Sequence, residues 1–103
     1  MDAAGLMGVS DNSLFKQRIW TSGDLNNALH GITIIQCWSN VSSFTNMPIS
    51  DKNANAVLLT FKNAASHVAP ETAIQFFLHG YKGGLCYFRC LSYNTWSAWK
   101  VIS

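Results

Sequence analysis

Residues 73–93 read AIQFFLHGYKGGLCYFRCLSY, two apolar and aromatic runs on either side of a glycine-rich centre. β-Branched and aromatic side chains suit a pleated, half-buried surface, and glycine supplies the backbone angles that a tight reversal demands. The stretch therefore predicts an antiparallel hairpin that turns over Tyr81-Lys82-Gly83-Gly84-Leu85. Two earlier segments read the same way. GITIIQCW is an apolar run rich in isoleucine, and AVLLTFK places Val57, Leu59 and Phe61 on one side of a strand by its period of two. A last short strand, Ala98 to Ile102, closes the chain. The fold class expected is mainly β (α+β), a small antiparallel sheet with one short helix near the N-terminus.

That helix is placed in TSGDLNNALHG. Ser22 or Asp24 is available as a cap, Leu25 and Leu29 fall on one face, and Gly31 is positioned to stop the turn. His30 then stands as a helix C-terminal residue, favourable to the dipole. Residues 1–18, MDAAGLMGVSDNSLFKQR, show no sustained period and are assigned to a connecting arm, with 19–103 as the domain proper. Two polar segments, Ser39 to Ala54 and Asn63 to Thr72, read as long loops, the places where binding functions concentrate on a compact scaffold.

Charge is the unusual part of the composition. Hydrophobic residues make up 49% and charged residues only 12%, against a common charged share of ~25%. With few charges to cover its surface, such a domain is expected to lay apolar area against another chain. The 7 basic residues are scattered, so the phosphate-neutralising stripe that nucleic acid requires is lacking. The apolar runs Ile32–Trp38 and Leu85–Leu91 fall short of the ~20 residues of a membrane helix, and residues 1–20 lack a secretory pattern. No nucleic acid and no membrane insertion are expected, and assembly is expected in a cytoplasm. The 3 cysteines, Cys37, Cys86 and Cys90, agree with free thiols. Cys86 and Cys90 on one strand would lie roughly 13 Å apart at a ~3.3 Å rise, beyond the ~7 Å that a disulfide spans.

Catalytic constellations are weak. Cys37, His67 and Asp51 form a Cys–His–Asp set only on paper, and Cys37 sits mid-strand where a buried thiol is expected. His79, Cys86 and Cys90 match no usual zinc spacing. Asp51 and Glu71 could pair as glycosidase carboxylates, yet both stand in ordinary turn contexts. GYKGG lacks the spacing of a phosphate loop. The expectation is a protein that is not an enzyme, with no cofactor and no metal.

The chain ends in NTWSAWKVIS, with Trp96 and Trp99 close to a terminus. Each indole buries roughly 150–250 Å² and keeps one N–H to satisfy, so the pair is suited to docking a final strand.

The order Trp20, Asp24-Leu25-Asn26, Gly31-Ile32, an Ile/Val-rich strand pair, a glycine turn, Tyr87-Phe88-Arg89 and Trp96-Ser97-Ala98-Trp99-Lys100 resembles the pyocin knob domain of phage and R-type pyocin tail fibres. The likeness spans roughly residues 19–103. Ala3 to Asp11, AAGLMGVSD, is also similar to an AGLMS-type stretch of fibre shafts. Thr33 departs from the tyrosine often found after the glycine, and Ser39–Ala54 matches no pattern of the family. The resemblance implies a homotrimer at the tip of a virion tail fibre that recognises a bacterial surface glycan or protein receptor. Trp20, Leu25, Arg89, Trp96 and Trp99 take structural roles in that reading, while Trp38, Asn40, Phe44, Asn46, Tyr81 and Lys82 are the ligand-contact candidates. The alternatives are a trimerisation cap or spacer and a polysaccharide-degrading enzyme.

Overall fold

The computed structural model describes residues 17–50, 55–63, 72–80 and 84–102. Nine strands appear among them: β1 (Gln17–Trp20), β2 (Gly23–Asp24), β3 (Gly31–Ile35), β4 (Phe44–Thr45), β5 (Ala56–Asn63), β6 (Thr72–His79), β7 (Leu85–Ser92), β8 (Thr95–Trp96) and β9 (Lys100–Ile102). The main sheet runs β1-β3-β5-β6-β7-β8, with β9 also pairing to β7, and β2 and β4 form a separate two-stranded ribbon. The expected hairpin is present. β6 and β7 pair antiparallel from Ala73↔Leu91 to His79↔Leu85.

Pairing fixes which side chains share a face, because directly opposed residues point the same way. On one face Thr33, Ile35, Leu58, Thr60, Gln75, Phe77 and Arg89 are buried. Leu25, Ala28, Cys37 and Phe44 join Ile35, Ala56, Leu58 and Phe77 in the core there, with Trp20, Val41, Met47, Ile49, Tyr87 and Trp99 packed around it. The opposite face carries Ile32, Ile34, Val57, Leu59, Phe61, Ile74, Phe76 and Phe88, all half-buried. The face with the more polar side chains is thus the one that the 20–50 segment covers. Among the described residues, no segment covers the aliphatic and aromatic face, which is the open one in that sense.

Three expectations change. The sheet is mixed, since β1 runs parallel to β3 in the register Gln17↔Ile32 to Trp20↔Ile35. Gln17 and Arg18, assigned from sequence to the arm, therefore stand in the sheet; residues 1–16 lie outside the described residues. The expected helix over 22–31 is a single 3-10 turn, Leu25–Asn27. Asp24 caps it, its Oδ1 accepting from the Asn26 N–H at 2.9 Å, and Ala28 is already extended at ψ 134°. Asn26 and Asn27 favour turns over helix interiors because their amides compete for the backbone, and the chain must extend to enter β3 at Gly31. As a result Leu25 is fully buried while Leu29 is 47% exposed, so the two do not share a face. With no helix there, His30 serves the sheet instead: its Nδ1 accepts from the Lys62 N–H at 3.0 Å.

Candidate functional site

Across the covered face, register aligns Thr60, Gln75 and Arg89 on β5, β6 and β7. Their side chains form one hydrogen-bonded row. Arg89 Nε donates to Gln75 Oε1 at 2.9 Å, and Gln75 Nε2 donates to Thr60 Oγ1 at 3.2 Å and to the Leu25 carbonyl at 2.7 Å. Gln75 thereby ties the sheet to the 3-10 turn above it, across 50 residues of sequence. Buried polar groups are tolerated when partnered in this way.

Arg89 packs against two indoles. Its Cζ is 4.1 Å from the Trp96 ring centroid and 4.6 Å from that of Trp99. Ring faces attract a guanidinium, more so where water is excluded. Burial lowers the Arg89 pKa to about 10, with the Asp24 carboxylate partly offsetting the effect, so the group is a cation at neutral pH. Trp99 also holds the loop below it: its Nε1–H donates to the Asn46 carbonyl at 2.9 Å, and Asn46 Nδ2 donates to Asp24 Oδ1 at 2.7 Å. Asn46 has φ 65°, a left-handed conformation that asparagine accepts more readily than most residues. These groups line a cleft of about 500 Å³ that includes Asn26, Asn46, Arg89, Thr95, Ser97 and Trp99.

The ligand-contact candidates among the described residues, Trp38, Asn40, Phe44 and Asn46, do not converge. Trp38 is 69% exposed and stands over a second, mostly apolar cleft of about 680 Å³ at the ends of β3, β5, β6 and β7. Phe44 is 7% exposed and belongs to the core, because β4 pairs with β2 and turns its ring under the covering layer. Asn40 is spent on architecture, its Nδ2 donating to the Thr21 carbonyl at 2.7 Å and its Oδ1 accepting from the Trp38 N–H. Asn46 lies at the other cleft, with Arg89. Tyr81 and Lys82 lie outside the described residues. Among the residues assigned to structure, Leu25 is fully buried and Trp20 packs against the core.

The sequence gives no site role to Asn26, placed there in the expected helix, or to Gln75, since a glutamine within an aromatic strand carries no signal until its cross-strand neighbour is known to be arginine.

Of the weak catalytic sets, the His79, Cys86 and Cys90 trio alone lies wholly within the described residues. Cys37 is buried, and His67, Asp51 and Glu71 lie outside the described residues. His79 belongs to the covered face while Cys86 and Cys90 belong to the other, so the sheet itself separates that trio. No group of three His, Cys, Asp or Glu suited to a metal ion occurs among the described residues. Nor does any described helix have the length and apolarity to cross a membrane. No family model matches the chain, and no curated protein matches it.

Proposed function

We propose that the chain is the receptor-binding knob of a phage-like tail fibre, a homotrimer that holds a bacterial surface glycan at the fibre tip. The observation that carries this reading is the open face of the sheet. Ile32, Ile34, Val57, Leu59, Phe61, Ile74, Phe76 and Phe88 make a continuous apolar surface over four strands, left half-buried. Each such side chain that passes from half-buried to buried gains roughly 1 kcal/mol. Ile19, 65% exposed on β1, and Ile102, 45% exposed on β9, extend the surface to both edges of the sheet. Closed symmetry gives three copies of such a face a common axis to pack around without propagating into filaments.

Linked copies also suit shallow recognition. Three weak sugar contacts held together gain ~10²- to 10⁴-fold in avidity with no new contact. The test is sedimentation of the full chain at micromolar concentration, followed by competition of the purified protein with phage for host cells. A trimer that adsorbs and competes supports the reading. A trimer that does neither is a cap or spacer, and a stable monomer removes the proposal.

A further inference from the structure

The polar row of the covered face is incomplete at its end. Arg89 is only 3% exposed, its Nε is engaged by Gln75, and its Cζ lies over the rings of Trp96 and Trp99. Its Nη2 is buried with no acceptor. Asn26 Oδ1 is likewise buried with no donor. Both residues line the cleft of about 500 Å³ at Trp99, within the ~300–1,000 Å³ typical of small-molecule sites. A desolvated donor and a desolvated acceptor on one cleft call for a group from outside the fold.

The chemistry of that group is restricted. It must accept from a guanidinium N–H and donate to an amide oxygen, and a hydroxyl does both. Carboxylate and sulfate oxygens only accept, so such an anion would be pressed against the lone pairs of Asn26 Oδ1. Asp24, whose carboxylate already acts on the Arg89 charge, opposes an anion further. A cationic ligand meets the guanidinium itself. What remains is a neutral group that both donates and accepts, a hydroxyl or an amide, and the indoles in the cleft wall favour a polyol with an apolar C–H face.

We propose that this cleft binds a neutral pyranose, with one ring hydroxyl bridging Arg89 Nη2 and Asn26 Oδ1. The inference rests on the reading of the chain as a glycan-binding domain and places the sugar here rather than in the Trp38 cleft. Thr95 and Ser97 on the rim add hydroxyl groups that can meet further sugar oxygens.

The experiment follows ¹⁵N-labelled full-length chain by NMR. The neutral probes are the methyl glycosides of glucose, galactose, mannose and N-acetylglucosamine; the charged probes are methyl glucuronide and inorganic sulfate. Saturable shifts are expected at the indole N–H of Trp96 and Trp99 and at the Arg89 Nε–H with at least one neutral glycoside, with Trp38 unmoved. Asn26→Ala should weaken that response about tenfold, the loss of one hydrogen bond. Asn26→Asp, which offers Arg89 a carboxylate in place of the sugar, should abolish it while leaving the protein folded. Trp38→Ala should have no effect. Response to glucuronide or sulfate alone, response confined to Trp38, or no response to any probe overturns the inference. Cell adsorption measured in parallel separates the two levels: adsorption that persists unchanged in Asn26→Asp removes this cleft but leaves receptor binding standing, and a wild type that never adsorbs removes the fibre reading.

Discussion

Arg89 and Gln75 are directly opposed on neighbouring strands, and Arg89 Nε donates to Gln75 Oε1 at 2.9 Å beneath a roof of two tryptophans. A cation has been brought into the interior without an ion pair in hydrogen-bonding contact among the described residues. Its compensation is one neutral hydrogen bond, two ring faces and the attraction of Asp24. Arg89→Ala is expected to destabilise the fold by about 2–4 kcal/mol, through the lost stack and an orphaned Gln75 oxygen. Arg89→Lys should recover little, since an ammonium lacks both the planar face and the Nε–H. Burial sets the folded pKa near 10, below that of the unfolded chain. Any pH dependence contributed by Arg89 therefore begins only above about pH 10, where stability would rise with pH as the unfolded chain holds more protons. The stability gap between wild type and Arg89→Ala should be constant from pH 6 to 9 in paired urea titrations.

Trp99 has two separable jobs. Its ring covers Arg89 and meets Phe77 edge-on at 6.1 Å, and its N–H holds the Asn46 carbonyl. Trp99→Phe keeps most of the ring and loses the bond, for an expected cost of about 1 kcal/mol. Trp99→Ala removes both, for about 3 kcal/mol. Denaturation midpoints of the two variants should fall in that order, and equal midpoints would show that the hydrogen bond, not the ring, anchors the chain end.

Gly23 has φ 141°, and a Cβ placed on it would stand 2.9 Å from Trp20 Cε3. Gly84 has φ 70° with open space around it. Gly23→Ala therefore meets both a backbone penalty and a clash, and is expected to lower stability by more than about 2 kcal/mol. Gly84→Ala carries only the backbone penalty of about 1 kcal/mol. Gly84→Asn should be milder still, because asparagine tolerates that conformation. Thermal melts of the three variants check the ranking.

On the open face, Leu59 and Phe76 are cross-strand partners near its centre. Leu59→Glu puts a charge in the middle of the apolar surface. It is expected to leave a folded chain, since the half-buried position lets the carboxylate reach water, while shifting the sedimentation of the assembly to that of a single subunit. A Leu59→Glu protein that still sediments as an oligomer places the contact on another surface.

Much of the sheet was legible because its signals are local. The glycines between Leu78 and Leu85 define a reversal, and alternation in AVLLTFK correctly groups Val57, Leu59 and Phe61 on one side. The period of two does not say which side will be covered, since Leu58 and Phe77 on the other face are apolar as well. That was settled by the 20–50 segment, whose Leu25 carbonyl meets Gln75 and whose Phe44 drops into the core. The same segment defeated the helix expectation. A capped, leucine-containing stretch reads as helical by local rules, and only its pairing of β2 with β4 and its entry into β3 show why one 3-10 turn is all that fits.

By itself the sequence determined the strands β3, β5, β6, β7 and β9, the β6–β7 reversal and the presence of a terminal pair of indoles, because propensity, alternation and turn chemistry act over a few neighbouring residues. Only the tertiary structure decided that Arg89 enters the interior, that Trp96 and Trp99 close over it, and that Asn26 shares its cleft. Asn26 meets that cleft from a distant segment, and the indoles close over Arg89 only through the way β8 and β9 return along β7 and through which face of the sheet is covered, none of which a single segment encodes.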